Sequence, residues 1–259
     1  MVKNKQRKGK KVISKIITIA CLAVFIYASH GLISVYIDYK QNRSMLSDVQ
    51  DTYYNVASAE TVETDDRTEA KGVRTGFDAL LEQNENVVGW ITIDGTHIDY
   101  PILQSDNNID YLTENYNGQS SIAGSIFMDY RNDIEDTELN TVIYGHRMKD
   151  GSMFQDLIKF LDEDFFRTHQ TFTYDTLYDS YEAEIFAVYN TLIDFNYIKT
   201  DFGSESEYSE LLQNIQDKSR FATDIELDNE DQILTLSTCD YEMDPNDGRL
   251  VVQAKLTKK

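Results

Sequence analysis

The sequence predicts a mainly β fold with helical insertions: a closed or nearly closed eight-stranded β-barrel, preceded by an N-terminal transmembrane helix. Three observations carry this. Eight short runs rich in Val, Ile, Tyr, Phe and Thr recur after residue 86, few segments there keep helical spacing, and one uncharged apolar stretch lies near the N-terminus. A hydrophobic share of 41% excludes a wholly disordered chain, and only 2 prolines argue against a Pro-rich stalk.

Residues 1–15 form a basic tail with seven Lys or Arg and no Asp or Glu. IITIACLAVFIYASHGLISVYI, residues 16–37, carries no Asp, Glu, Lys or Arg. As a helix it is long enough to cross a hydrocarbon layer of ~30 Å. The basic flank orients it with the N-terminus in the cytoplasm and everything after Asp38 outside. A cleaved secretory signal is the rival reading; the length of the run and the lack of an A-x-A site favour a signal anchor. Residues 38–75 are polar and helix-permissive, with an acidic, Thr-rich stretch at 60–69, and read as an extracellular stalk. No internal repeat breaks up residues 76–259, which are expected to form one catalytic domain.

Within that domain the strand candidates are VVGWITI (87–93), HIDYPIL (97–103), SIFMDY (125–130), TVIYGH (141–146), TFTYDT (171–176), YEAEIFAVYN (181–190), QILTLST (232–238) and LVVQAKL (250–256). Asp94-Gly95 supplies a turn between the first two. Helical patterns fit Phe77–Gln83, Met153–Phe160, Asp162–His169 and Glu205–Arg220, the last with Tyr208, Leu211, Leu212 and Ile215 on one face.

Taking the seven basic residues of the N-terminal segment away from the net charge of −21 leaves −28 on the rest. A surface this acidic repels phosphate and excludes nucleic acid as a partner; cationic or amine-bearing partners suit it. The histidines are scattered, and the acidic segments at 106–110 and 244–247 read as solvated loops, so neither metal nor other cofactor is expected.

Of 2 cysteines, Cys21 lies in the apolar span and Cys239 stands alone outside it, so no disulfide can form within the domain. A lone thiol is more often a core residue than a nucleophile. Cys239, however, follows the apolar run ILTLST and precedes the polar DYEMDPNDG, a strand end from which a side chain can face solvent. His146 ends the run TVIYG in the same manner, unlike His97 in a hairpin strand or His169 at a polar helix end. It is the best placed proton partner for a thiol. Arg249 opens the last strand. If DYEMDPNDG joins adjacent antiparallel strands, Arg249 returns beside Cys239, where a guanidinium can hold a carbonyl and its oxyanion.

TLSTC at a strand end, an Arg ten residues on in GRLVVQAKL, and VIYGHRM upstream resemble the signature of the sortases. NVVGWITIDGTHIDYPILQ, NNIDYL, GSIFMDYRN and MFQDL extend the resemblance to class B, which is also marked by a helix between the sixth and seventh strands. The resemblance implies a sortase-type barrel and a cysteine transpeptidase at the Gram-positive cell surface. In that mechanism Cys239 attacks the Thr carbonyl of an NPxT-like sorting motif, His146 protonates the departing amine and Arg249 steadies the oxygen. A thioacyl enzyme then passes the protein to an amine of a lipid-linked peptidoglycan precursor. Carried over in the same way, Asn108, Leu112, Tyr144, Tyr197, Ile198, Ser237 and Thr238 would line the substrate groove. One departure stands out: Tyr241 occupies the place, two after the cysteine, where some class B members carry an acidic residue. The resemblance therefore leaves open whether a carboxylate orients His146, and none is counted in the catalytic set. An extracellular cysteine protease, in which water resolves the thioacyl group, and an anchored surface-binding module remain the alternatives.

Overall fold

In the computed structural model, which describes residues 2–59, 72–135 and 138–259, one long helix precedes an eight-stranded closed barrel. The chain divides into two compact units, Met1–Gln41 and Asn42–Lys259.

In the first unit, α1 (Val2–Ala59) begins. Its segment Lys15–Asn55 is long and apolar enough to be a candidate membrane span. The side chains of residues 1–14, the basic tail up to Lys15, lie outside the described residues, as does the acidic stretch at 60–69.

The second unit takes in the end of α1. Asn42, Leu46, Val49 and Tyr53 are buried there, at the spacing of one helical face. Tyr53 stacks on Trp90 with ring centroids 4.1 Å apart, and its hydroxyl donates to Asp175 Oδ2 at 2.8 Å. The segment expected as a stalk thus packs on the barrel over part of its length, and a boundary drawn at residue 76 cuts through that packing.

The strands are β1 (Val87–Thr92), β2 (Asp99–Leu103), β3 (Phe127–Met128), β4 (Asn140–Tyr144), β5 (Thr171–Thr176), β6 (Ser180–Leu192), β7 (Ile233–Cys239) and β8 (Gly248–Lys258). They close in the order β1-β2-β3-β4-β7-β8-β6-β5. All neighbouring pairs are antiparallel except β2–β3 and β4–β7. Each expected strand is present, although β3 is reduced to two residues. Gly95, at φ +75°, takes the left-handed turn position between β1 and β2 that a side chain disfavours.

Three short elements follow the expected helices: α2 (Asp78–Leu81), a 3-10 segment at Phe154–Leu161 in place of an α-helix, and α3 (Glu163–Thr168). The fourth, α4 (Glu205–Lys218), lies between β6 and β7 and starts at Ser204, whose side chain accepts from Glu207 N–H. Tyr208, Leu211, Leu212 and Ile215 of α4 bury against Ile233, Val251 and Ala187 on the outer barrel face. Each such aliphatic side chain contributes about 1.5–3 kcal/mol on burial. Covered by α4 outside and by the core inside, β7 is buried on both faces until Cys239, where it emerges.

Candidate active site

Two ladders set the site. In the parallel pair, Tyr144 of β4 lies opposite Ser237 of β7, and the ladder is extended by Gly145 N–H donating to Ser237 O at 3.3 Å. In the antiparallel pair, Cys239 of β7 lies opposite Arg249 of β8. The loop between them closes tightly: Asp240 N–H donates to Gly248 O at 2.9 Å, and a Cβ on Gly248 would sit 2.2 Å from Asp240 O. Only glycine tolerates that approach, and Gly248 thereby brings Arg249 level with the thiol.

Cys239, His146 and Arg249 line one cleft of about 220 Å³, together with Asn108, Leu112, Phe127, Tyr144, Gly145, Ser237 and Thr238. Of the expected groove residues, Tyr197 and Ile198 are not among its lining. Tyr197 adjoins it, its Oη and Ser237 Oγ being hydrogen-bonded at 2.8 Å, whereas Ile198 is tied to Arg131, whose Nη2 donates to Ile198 O at 2.9 Å. Thr238 Oγ1 is buried without a hydrogen-bond partner among the described residues.

The ring of His146 is oriented by a backbone group. Its Nε2 lies 2.7 Å from Leu112 O. A carbonyl oxygen only accepts, so Nε2 carries a proton in either charge state of the ring. The main chain of His146 is held as well, since its carbonyl accepts from Phe154 N–H at 2.9 Å. The neighbouring Arg147 reaches across to the loop after the thiol, with Nη1 3.4 Å from Asp240 Oδ1 and Nη2 3.1 Å from Glu242 Oε1. Asp240 also accepts from Asn190 Nδ2 at 2.8 Å, so this carboxylate is committed away from His146.

Arg249 Nη1 donates to Gly248 O at 2.8 Å and to Asn246 O at 3.0 Å. Those bonds fix one arm of the guanidinium and leave the rest of the fork for a carbonyl. Two phenols flank the sulfur. Burial raises the Tyr197 hydroxyl above its ordinary value, with Ser237 and Arg249 pulling it down and Cys239 pushing it up. Burial likewise raises Tyr241, joined by the charge of Cys239 and a hydrogen bond with it, against Arg147 and Arg249. Both phenols stay protonated at neutral pH and face the thiol as neutral groups. The position two after Cys239 thus holds a neutral donor.

The arrangement offers a nucleophile, an imidazole and a cation around an open groove, the parts that acyl transfer requires. Sequence reasoning missed Arg147, Gly248, and the buried Asp129 behind Tyr144. The motif fragments VIYGHRM, GRL and GSIFMDYRN contained all three, but only the fold shows what they touch.

Comparison with known proteins gives a consistent neighbourhood. A model of the sortase domain matches residues 91–257. Sortase B of Listeria monocytogenes is 42% identical over 252 residues, covering 97% of this chain and 100% of that protein. Sortase B of Staphylococcus aureus is 32% identical over 243 residues, covering 94% and 96%. Among solved structures, sortase B from Bacillus anthracis in complex with AAEK1 superposes with a TM-score of 0.75 at 48% identity, covering 87% of this chain and 100% of that one. A Staphylococcus aureus sortase B–substrate complex superposes with a TM-score of 0.78 at 33% identity, covering 86% and 99%.

Proposed function

The chain belongs to the class B sortases, a family of cysteine transpeptidases, and on that premise we propose that it cuts an NPxT-like C-terminal sorting motif after Thr. It then passes the acyl group to an amine of a lipid-linked peptidoglycan precursor. The observation that carries this reading is the single cleft shared by Cys239, His146 and Arg249.

The Cys239 thiolate adds to the Thr carbonyl, and the developing oxyanion is met by the free part of the Arg249 fork. His146, as imidazolium, gives its proton to the departing amine as the C–N bond breaks, leaving a thioester on Cys239. The incoming amine adds to that thioester and loses a proton to His146. The C–S bond breaks and the thiolate returns. Asn108, Leu112, Tyr144, Ser237 and Thr238 would seat the motif along the groove, with Tyr197 and Ile198 forming the ground behind it. The unsatisfied Thr238 hydroxyl is a polar position that a bound peptide could complete.

The same reading assigns residues 16–37 as a single-pass anchor, residues 1–15 to the cytoplasm, and the barrel to the outer face of a Gram-positive membrane. The test is incubation of the chain from residue 42 onward with Asn-Pro-x-Thr peptides, with and without an added amine, alongside Cys239→Ala. A thioacyl adduct that the amine captures is expected. Release of free acid regardless of amine would indicate hydrolysis instead, and no adduct from any peptide would overturn the proposal.

A further inference from the structure

Asp129 follows β3 and is fully buried, yet it is charged and has no part in the chemistry above. Its carboxylate is saturated with donors from three directions. Oδ2 accepts from Asn108 Nδ2 at 3.0 Å, Tyr144 Oη at 2.8 Å and Arg131 Nη2 at 2.7 Å; Oδ1 accepts from Arg131 Nε at 2.8 Å and Arg131 N at 3.0 Å. The Asn108 amide cannot turn over, because its Oδ1 accepts from Tyr130 N–H at 3.0 Å. Arg131 uses the same Nη2 to hold Ile198 O at 2.9 Å.

One ion pair, buried on its acidic side and partly exposed on its basic side, therefore ties together the loop bearing Asn108, the end of β4 bearing Tyr144, and the segment bearing Ile198. Burial works to raise the Asp129 carboxyl, but the bonds from Arg131 and Tyr144 outweigh it and hold it below the usual carboxylate value. The carboxylate is thus ionised throughout the neutral range. A charge fixed in this way, behind two groove residues and touching no reacting group, has the character of a strut.

We propose that Asp129 and Arg131 form a positioning pair that sets the width of the sorting-motif groove, and with it the preference for residues ahead of the Thr. The proposal rests on the transpeptidase reading. Loss of the pair would let Asn108 and Ile198 drift, weakening peptide binding in ground and transition states alike while leaving the thiol and its partners as they are.

The decisive variant is Arg131→Met. It frees Ile198 but keeps the bonds of Asp129 to Asn108 and Tyr144; because it also leaves the buried Asp129 without its cation, denaturant unfolding is read beside the assays to show that the variant is folded under their conditions. Asp129→Asn is the stronger disruption. Three quantities are measured: KM and kcat over a peptide panel varied ahead of the Thr, direct peptide affinity in a Cys239→Ala background, and the rate of Cys239 alkylation by iodoacetamide. Arg131→Met is expected to raise KM and the peptide Kd by about tenfold, flatten the preference across the panel, and change kcat by less than about threefold. Alkylation should be unchanged. Unaltered KM, Kd and preference in Arg131→Met would overturn the proposal while wild-type turnover still upheld the transpeptidase reading. A slowed alkylation rate would also overturn it, by showing that the pair acts on the thiol. Absence of wild-type turnover on every peptide would sink both.

Discussion

Tyr144 on β4 and Ser237 on β7 are partners in a parallel ladder, so His146 and Cys239, each two residues further along, leave the barrel at the same end. Arg249 completes the row from the other side, as the antiparallel partner of Cys239. Because Arg249 Nη1 is already committed to the carbonyls of Asn246 and Gly248, the proposed mechanism has the cation act on substrate through the remaining arms of its fork. A lysine at this position has one point charge to divide between those tasks. Arg249→Lys should therefore lower kcat/KM for the sorting peptide by about 10²-fold or more, comparable to loss of one oxyanion donor. Steady-state kinetics with a quenched fluorescent peptide measures this, and a drop of less than about threefold would count against the role.

Docking of α1 predicts a stability effect far from the cleft. Tyr53→Ala removes a ring stacked on Trp90 and should cost about 3–5 kcal/mol. Tyr53→Phe keeps the ring but takes a hydrogen bond from the buried Asp175, and should cost about 1–3 kcal/mol. Denaturant unfolding of a chain beginning at residue 42 reads both. A chain beginning at residue 76 should be less stable than either variant.

Arg147 bridges two acidic residues in unlike surroundings, Asp240 with 7% of its side chain exposed and Glu242 with 77%. Removing the exposed partner should cost ~0–1 kcal/mol. Asp240→Ala should cost more, about 3 kcal/mol, because Arg147 is itself largely buried and Asn190 also loses its acceptor. Equal costs for Glu242→Ala and Asp240→Ala in denaturant melts would refute the distinction.

Acid stability has its own marker in Asp156. Burial works to raise its carboxyl, but the His97 N–H, Lys159 and the His97 ring outweigh burial and hold it below its ordinary value of 3.8. A carboxyl held lower in the folded than in the unfolded state stabilises at neutral pH, and that contribution is lost as pH falls through the folded value. The stability gap between wild type and Asp156→Asn should thus be widest near pH 7 and narrow below about pH 4. Melting temperatures across pH 3–7 provide the measurement, and a gap that is constant or widens toward acid would contradict the assignment.

Strand composition was enough to find all eight strands, because Val, Ile, Tyr and Thr cluster wherever the barrel wall is buried. That Cys239, His146 and Arg249 would meet in one cleft was legible for a similar reason, each standing where an apolar run meets polar residues. What escaped was pairing. Nothing in TVIYGH or QILTLST declares that they lie side by side, and nothing in GSIFMDYRN shows that Asp129 sits beneath Asn108 and Tyr144. The orienting partner of His146 is a main-chain carbonyl, which every residue carries and no sequence pattern marks. The docked face of α1 did have a signal, Leu46, Val49 and Tyr53 at helical spacing, but it lay among polar residues that read as a stalk.

The parallel pairing of β4 with β7 joins segments roughly ninety residues apart in the chain. Such ladders close slowly, since the entropy of bringing distant segments together is spent before any contact rewards it. Cys239 thus meets Arg249 through a pairing of segments close in the chain, but meets His146 only once this distant ladder forms. A chain caught before that ladder closes has a thiol whose imidazole is still elsewhere, and the enzyme is in effect switched off until its barrel is complete.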